Sequence, residues 1–291
     1  MSFDYHQPGT LEGAIELLER HGRQAALLAG GTALMIDIQH GEVSPQHLVS
    51  LWGLPDLRQV RLSHRIVIGA LATMTDLAGA IRGAPELAGL WEAARSVGGR
   101  QIQNMATIGG NICKASPGAD SVPPLLCLDA ELVLRGPMGE RTTPLDGFLT
   151  GPDQTAMNPG ELLTAIELPP VPPNSGTASV KIMRRKAVDC SIVAVSARVS
   201  LEADGDTCRE ARVGIAAAAP NPFRAKRAEA TLAGQSLTDE CIAAAARLAQ
   251  QESSPIDDVR ASAEYRRMLV ETLVKQAIAT ARARAAQSAA G

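Results

Sequence analysis

The sequence predicts an α+β protein in three parts: two small α/β units, then an antiparallel sheet with three helices on one face. Three observations lead there. Residues 27–35 read "LLAGGTALM", a short apolar run, a Gly-Gly pair and a helix-like segment, which is the pattern of a strand-to-helix junction. Residues 169–176, "PPVPPNSG", form the clearest boundary in the chain. Beyond that boundary the order changes to strands followed by helices, which places helices on one face of an antiparallel sheet.

The elements follow in order. Thr10 is positioned to cap a helix whose Leu11, Ile15 and Leu18 share a face and which ends at Gly22. "QAALLA" reads as a buried strand, "TALMIDIQHG" as a short helix closed by Gly41, and "HLVSL" as another strand, completing a first unit over residues 1–57. A second unit, 58–172, opens with the strand "RIVIGAL", continues with a helix in "TMTDLAGAIRG" capped by Thr75 or Asp76, and then a helix in "PELAGLWEAARSVG" closed by Gly98-Gly99. "ADSVPPLLCLDA" reads as a helix start capped by Asp120 or Ser121, with Pro123 and Pro124 in the first turn, where a missing N–H costs little. "AELVLRG" and "ELLTAIELP" read as strands around a connection from 136 to 160. In residues 173–291, "TASVKIMRRK", "CSIVAVSARVSL" and "EARVGIAAAA" read as three strands. "RAKRAEATLAG", "DECIAAAARLAQQ" and "SAEYRRMLVETLVKQAIATARARAAQ" read as three helices, the last fraying after about residue 285.

Composition removes several function classes. The net charge of −3 gives no electrostatic reason to bind nucleic acid. Seven aromatic residues are too few for a base-stacking platform. No run of eighteen apolar residues exists to span a membrane, and "MSFDYHQPGT" lacks the pattern of a signal peptide. The cysteines (113, 127, 190, 208, 241) are never closer than fourteen residues, so no Cys-x-x-Cys names a zinc or iron–sulfur loop; an odd, scattered set fits reduced thiols in a cytoplasm. The five histidines form no H-E-x-x-H or other tight pair, so the spacing names no metal site and no catalytic residue.

The Gly-Gly pairs are the candidate functional feature. Glycine permits positive φ and close approach of the backbone to a ligand. Gly30-Gly31-Thr32 stands where free N–H groups and the helix dipole favour an anion. A second pair lies in "MATIGGNICKASPGAD", residues 105–120. Neither loop is a Walker motif or a G-x-G-x-x-G fingerprint. Two such loops in one domain suit two phosphates of one ligand.

Four segments, "LLAGGTALM", "ATIGGNICKASPGADSVPPLLCLDAEL", "KIMRRKAVDCSIVAV" and "PIDDVRASAEYRRMLV", occur in the order that resembles the FAD-binding medium subunit of the molybdenum hydroxylases, the family of xanthine dehydrogenase, aldehyde oxidoreductase and carbon monoxide dehydrogenase. The resemblance spans essentially the whole chain. It implies an FAD-binding fold of the vanillyl-alcohol-oxidase (PCMH) type, followed by a smaller C-terminal domain. It also implies partners: a molybdopterin-binding large subunit and a small subunit with two [2Fe–2S] clusters, assembled as a dimer of heterotrimers. In that arrangement this chain receives electrons on non-covalent FAD and passes them to an external acceptor.

The resemblance carries roles onto matching positions. Leu27, Leu28, Ala29, Gly30, Gly31, Thr32, Ala33 and Leu34 would wrap the pyrophosphate, with Thr32 either donating a hydrogen bond or capping the next helix. Thr107, Ile108, Gly109, Gly110 and Asn111 would form the second loop. Asp120 matches an aspartate on the adenosine side, or is simply a helix cap. Lys181 matches a basic residue near the flavin, or is a solvated charge alongside Arg184, Arg185 and Lys186. Leu163 matches a backbone contact to FAD. Val97 stands where some relatives place an aromatic residue over the isoalloxazine. The cysteine-bearing insertion of the benzoyl-CoA-type branch is absent, which argues against a further [4Fe–4S] cluster. Two other readings stay open: a stand-alone flavin oxidase of the same fold, and a non-catalytic nucleotide-binding module.

Overall fold

The computed structural model describes residues 2–185 and 188–289. The first unit contains β1 (Asp4–His6), α1 (Leu11–His21), β2 (Ala25–Leu28), α2 (Leu34–His40) and β3 (His47–Ser50). Its strands form a parallel sheet in the order β1-β3-β2. The Thr10 hydroxyl accepts the Gly13 N–H at 3.1 Å and starts α1 as expected. Gly41 ends α2 in the left-handed region, φ 75°. Ala14 and Ile15 of α1 pack with Val49, Leu51 and Leu54 to make a small core.

The second unit contains β4 (Val60–Arg61), β5 (Ile66–Gly69), α3 (Met74–Ala80), α4 (Ala88–Ser96), α5 (Arg100–Gln103), α6 (Ile108–Cys113), α7 (Val122–Cys127), β6 (Glu131–Gly136), β7 (Gly139–Pro144), β8 (Leu149–Gly151), β9 (Gln154–Thr155) and β10 (Leu162–Leu168). Its main sheet has the order β4-β5-β10-β6-β7, with antiparallel neighbours. Three features differ from the sequence expectation. The cap of α3 is Thr73, not Thr75 or Asp76; Asp76 is instead the reciprocal partner in a capping box. The 136–160 connection holds two hairpins, β6–β7 and β8–β9. Ser121, one of the two expected caps, occupies the cap position of α7 but makes no side-chain cap bond.

The C-terminal unit contains β11 (Ser175–Ile182), β12 (Val193–Leu201), β13 (Cys208–Ala216), β14 (Phe223–Arg224), α8 (Lys226–Leu232), α9 (Asp239–Glu252) and α10 (Ala263–Ala289). The sheet is antiparallel in the order β11-β12-β13-β14. Helix α10 crosses β11 and β12 and runs on to Ala289, past the expected end near 285. The contact is close: a Cβ on Gly176 would stand 2.2 Å from the Ala281 carbonyl oxygen. The "PIDDVR…EYR" segment has a structural role here. Buried Arg266 donates to the Ile192 and Ala217 carbonyls (2.6 and 2.9 Å) and to Asp258 (2.7 Å), tying the loop before α10 to the residues just before β12 and just after β13.

The C-terminal unit docks on the second unit through α4 against β11 and α7 against β13. Gly89 N–H donates to the Thr177 hydroxyl (2.9 Å), and the Ser179 N–H donates to Glu92 (2.8 Å). Gly214 allows β13 to lie on the Pro123 backbone, where a Cβ would sit 2.4 Å from the carbonyl oxygen. Among the described residues no helix is long and apolar enough to cross a membrane.

Candidate functional site

A cleft of about 360 Å³ opens between the first and second units. Of the residues singled out in the sequence, Leu27, Ala29, Gly30, Gly31, Thr32, Ala33, Leu34, Val97, Thr107, Gly109, Gly110, Asn111 and Leu163 line it. The two Gly-Gly segments are therefore brought together, and their junction depends on glycine. A Cβ on Gly30 would lie 1.9 Å from the Met105 carbonyl oxygen, just ahead of the second segment.

The two segments differ in what their backbones offer. Among the described residues, the N–H groups of Gly30, Gly31, Thr32 and Ala33 have no acceptor within the chain. Successive free N–H groups in such a turn make an anion-binding concavity. The turn is held from behind by the Trp52 indole N–H, which donates to the Ala29 carbonyl at 2.7 Å. In the second segment the N–H groups are spoken for. Ile108 and Gly109 donate to Ala72 and Ala70, Gly110 donates to the Thr107 hydroxyl at 3.1 Å, and Asn111 donates to the Thr107 carbonyl. This segment is the first turn of α6 rather than an open loop, and of the four glycines only Gly31 has a positive φ, 70°. It offers the cleft a surface of glycines and the Asn111 side chain. Ser121 donates to Asn111 Oδ1 through its hydroxyl (2.6 Å) and its N–H (3.4 Å), which fixes that atom as oxygen. The amide nitrogen has no partner among the described residues.

Several positions sit elsewhere than expected. Thr32 does not cap α2: the cap position is Ala33, without a side-chain bond. Leu28 and Ile108 do not line the cleft; Leu28 ends β2 beneath Gly31, and Ile108 is fully buried in the core of the second unit. Asp120 and Lys181 also lie off the cleft wall, where they form an ion pair at 2.6 Å with both side chains about nine-tenths buried. Ser191 donates to the other Asp120 oxygen, and Lys181 donates to the Ser96 carbonyl at 3.0 Å. Asp120 is thus no helix cap, and Lys181 is no solvated charge. Burial pushes the Asp120 carboxyl up, Lys181 and Ser191 pull it back, and the balance leaves it above the usual carboxylate range. Ser96 precedes Val97 on the cleft wall, so the pair stands behind the Val97 segment. Lys186, the remaining member of the basic run, lies outside the described residues.

The sequence reading missed Asp37, Cys113, Lys114 and Met157, all on the cleft wall. Lys114 Nζ bridges Asp37 and Asp153, 2.9 Å from each. Burial works against its charge, but hydrogen bonds to Asp153 and Asp37 outweigh that and raise its pKa. Burial pushes the Cys113 thiol up to about 12, which keeps it protonated and a poor nucleophile. Lys114 directly follows the second glycine segment's helix, a position that could have signalled it; Asp153 comes from a distant hairpin and could not.

Comparison with known proteins places this geometry. Residues 1–171 match the FAD binding domain in molybdopterin dehydrogenase, and residues 178–281 match the CO dehydrogenase flavoprotein C-terminal domain. The chain belongs to the FAD-binding medium subunits of the molybdenum hydroxylases. It is 37% identical over 280 residues to the xanthine dehydrogenase FAD-binding subunit of Escherichia coli, covering 95% of each chain. It is 36% identical over 285 residues to the carbon monoxide dehydrogenase medium chain of Afipia carboxidovorans, covering 98% of each. A solved carbon monoxide dehydrogenase from Hydrogenophaga pseudoflava, which lacks the Mo-pyranopterin moiety of its cofactor, superposes with a TM-score of 0.93 at 33% identity, covering 98% of each chain. The α+β FAD-binding fold implied by the family resemblance therefore holds, and the chain is the flavoprotein subunit of an oxidoreductase.

Proposed function

We propose that the cleft holds one FAD non-covalently and that the chain relays electrons from [2Fe–2S] clusters of a small partner subunit, through that FAD, to an external acceptor. Bound FAD supplies the redox chemistry. The chain's own residues position it and exclude water. The observation that carries this reading is the run of four unpartnered N–H groups at Gly30–Ala33 on the wall of a cleft in a family-matched FAD domain. These groups suit the pyrophosphate, with the Asn111 amide as a further donor. Thr107, Gly109 and Gly110 give a smooth wall against which a flat group can lie. Val97, Ile102, Leu162 and Leu163 supply apolar packing for a ring system. The buried Lys181–Asp120 pair braces the Val97 segment from behind.

The same reading includes a molybdopterin large subunit, assembly as a dimer of heterotrimers and a cytoplasmic setting. It also divides the chain into FAD subdomains 1–57 and 58–172 and a C-terminal domain 173–291. The protonated Cys113, the one thiol on the cleft wall among the described residues, supports a flavin held without a covalent bond.

The natively purified complex should contain one FAD per copy of this chain together with molybdenum and iron, and acid precipitation should release the flavin. Flavin retained in the pellet overturns the non-covalent assignment. A chain that purifies alone and oxidises a small substrate by itself overturns the subunit assignment in favour of a stand-alone oxidase.

A further inference from the structure

No two histidines are close in sequence, yet the fold gathers three. His6 ends β1, His21 ends α1 and His47 begins β3. One ligand atom from each lies within 4.8 Å of the others. We propose that His6, His21 and His47, with Asp4 or water as fourth ligand, form a binding site for a divalent transition metal of the Zn2+ class, with none of the three among the residues that line the cleft.

The distances support a tetrahedral site. Zinc–ligand bonds of 2.0–2.1 Å place neighbouring ligand atoms roughly 3.3 Å apart. His6 Nε2 and His47 Nδ1 are 3.2 Å apart, and Asp4 Oδ2 is 3.3 Å from that same His47 nitrogen. Two edges of the polyhedron are therefore in place. The register explains why: Asp4 pairs opposite His47 across β1–β3, and His6, two residues on, returns to the same side of the strand. The His21 ring lies over the His47 ring with centroids 3.7 Å apart and 31° between their planes, so His21 reaches a common ion by a turn of its side chain.

The ring set also suits a metal chemically. Unprotonated imidazole is the ligand form. The half-buried rings leave an entry path for an ion. The ion would staple β1 to the end of α1 and the start of β3, restraining a terminal strand that is only three residues long.

The test uses the full-length, FAD-loaded chain without an affinity tag, stripped with chelator and titrated calorimetrically with Zn2+. One equivalent should bind, and Co2+ in its place should give the visible bands of a tetrahedral complex. His21→Asn and His47→Asn should each weaken Zn2+ binding at least tenfold while keeping full flavin occupancy, and His64→Asn should not. Saturating Zn2+ should raise the thermal midpoint of the wild type by about 5 °C and leave that of His47→Asn unchanged. Failure of the wild type to bind Zn2+ below millimolar concentration overturns the site. So does binding of equal affinity in folded His47→Asn, which would place the metal elsewhere, for instance on exposed Cys190.

Discussion

At the residue scale, the buried Asp120–Lys181 pair and the glycines define the site's tolerances. Removing one member of a buried ion pair costs about 3–5 kcal/mol because the other charge is left uncompensated, whereas removing both is far milder. Lys181→Met should therefore destabilise the protein strongly, and the double variant with Asp120→Asn should recover much of that loss in a denaturant titration. Equal, additive losses would mean the pair is not coupled. The pair also corrects a local inference. In sequence, Asp120 sits where a helix cap belongs, and only the fold reveals a partner sixty-one residues away. The glycines separate in the same way. Gly30→Ala forces a Cβ into the Met105 carbonyl and should lower stability and flavin content together. Gly110 is helical, and its Cβ would meet only the Thr107 hydroxyl at 2.9 Å and Ala29 Cβ at 3.8 Å. Gly110→Ala should cost the chain about 1 kcal/mol at most, the worth of the cap it disturbs, while weakening FAD binding. Unchanged FAD affinity in Gly110→Ala would show that the cofactor does not approach that face.

At the element scale, the turn that delivers Leu162 and Leu163 to the cleft is fixed by one carboxylate. Arg141 of β7 grips Glu161 through two parallel bonds (2.6 and 2.8 Å), and Asn158 donates to it twice more. The Arg141 hydrogen bond is the main reason the Glu161 carboxyl falls from 4.5 to about 2; burial opposes the shift and the Asn158 bonds assist it. A depressed carboxylate stabilises the fold above its unfolded pKa. The contribution fades as pH falls from about 4.5 and is gone near 2. Discounted for the part-exposed Arg141, it is worth about 1–2 kcal/mol at neutral pH. The stability difference between wild type and Glu161→Gln should be of that size at pH 7 and shrink steadily below pH 4.5; a pH-independent difference would contradict the assignment. This hairpin was illegible in the sequence because "GERTTP" has no apolar alternation: β7 is an edge strand with exposed residues. Strands β1, β4 and β14, two or three residues each, fall below any periodic signal, whereas the six-to-nine-residue strands β6 and β10–β13, each with an apolar run, were plain.

At the scale of the whole molecule, the C-terminal unit backs the cleft without lining it: β11 carries Lys181 to the segment behind Val97. Its docking depends on more than apolar contact. Asp129, held at φ 51° between α7 and β6, accepts from Arg198 (2.8 Å), Arg212 (3.1 Å) and Arg224 (3.2 Å) of the C-terminal sheet. Arg198 is almost fully buried and Glu210 is its other carboxylate partner. Replacing Asp129 leaves buried positive charge under-compensated and loosens the α7–β13 seam. Asn adopts the left-handed backbone more readily than Ala, so the two substitutions separate charge from strain. Asp129→Asn should cost about 2–3 kcal/mol by loss of charge-assisted bonds, and Asp129→Ala more. Hydrogen exchange should rise across β12 and β13 in both. If docking holds Lys181 in place, flavin release in these variants should begin with the loss of C-terminal protection and ahead of unfolding of the first unit. Flavin release that stays tied to the first unit's unfolding, with β12 and β13 already exchanging freely, would confine the cofactor site to residues 1–172.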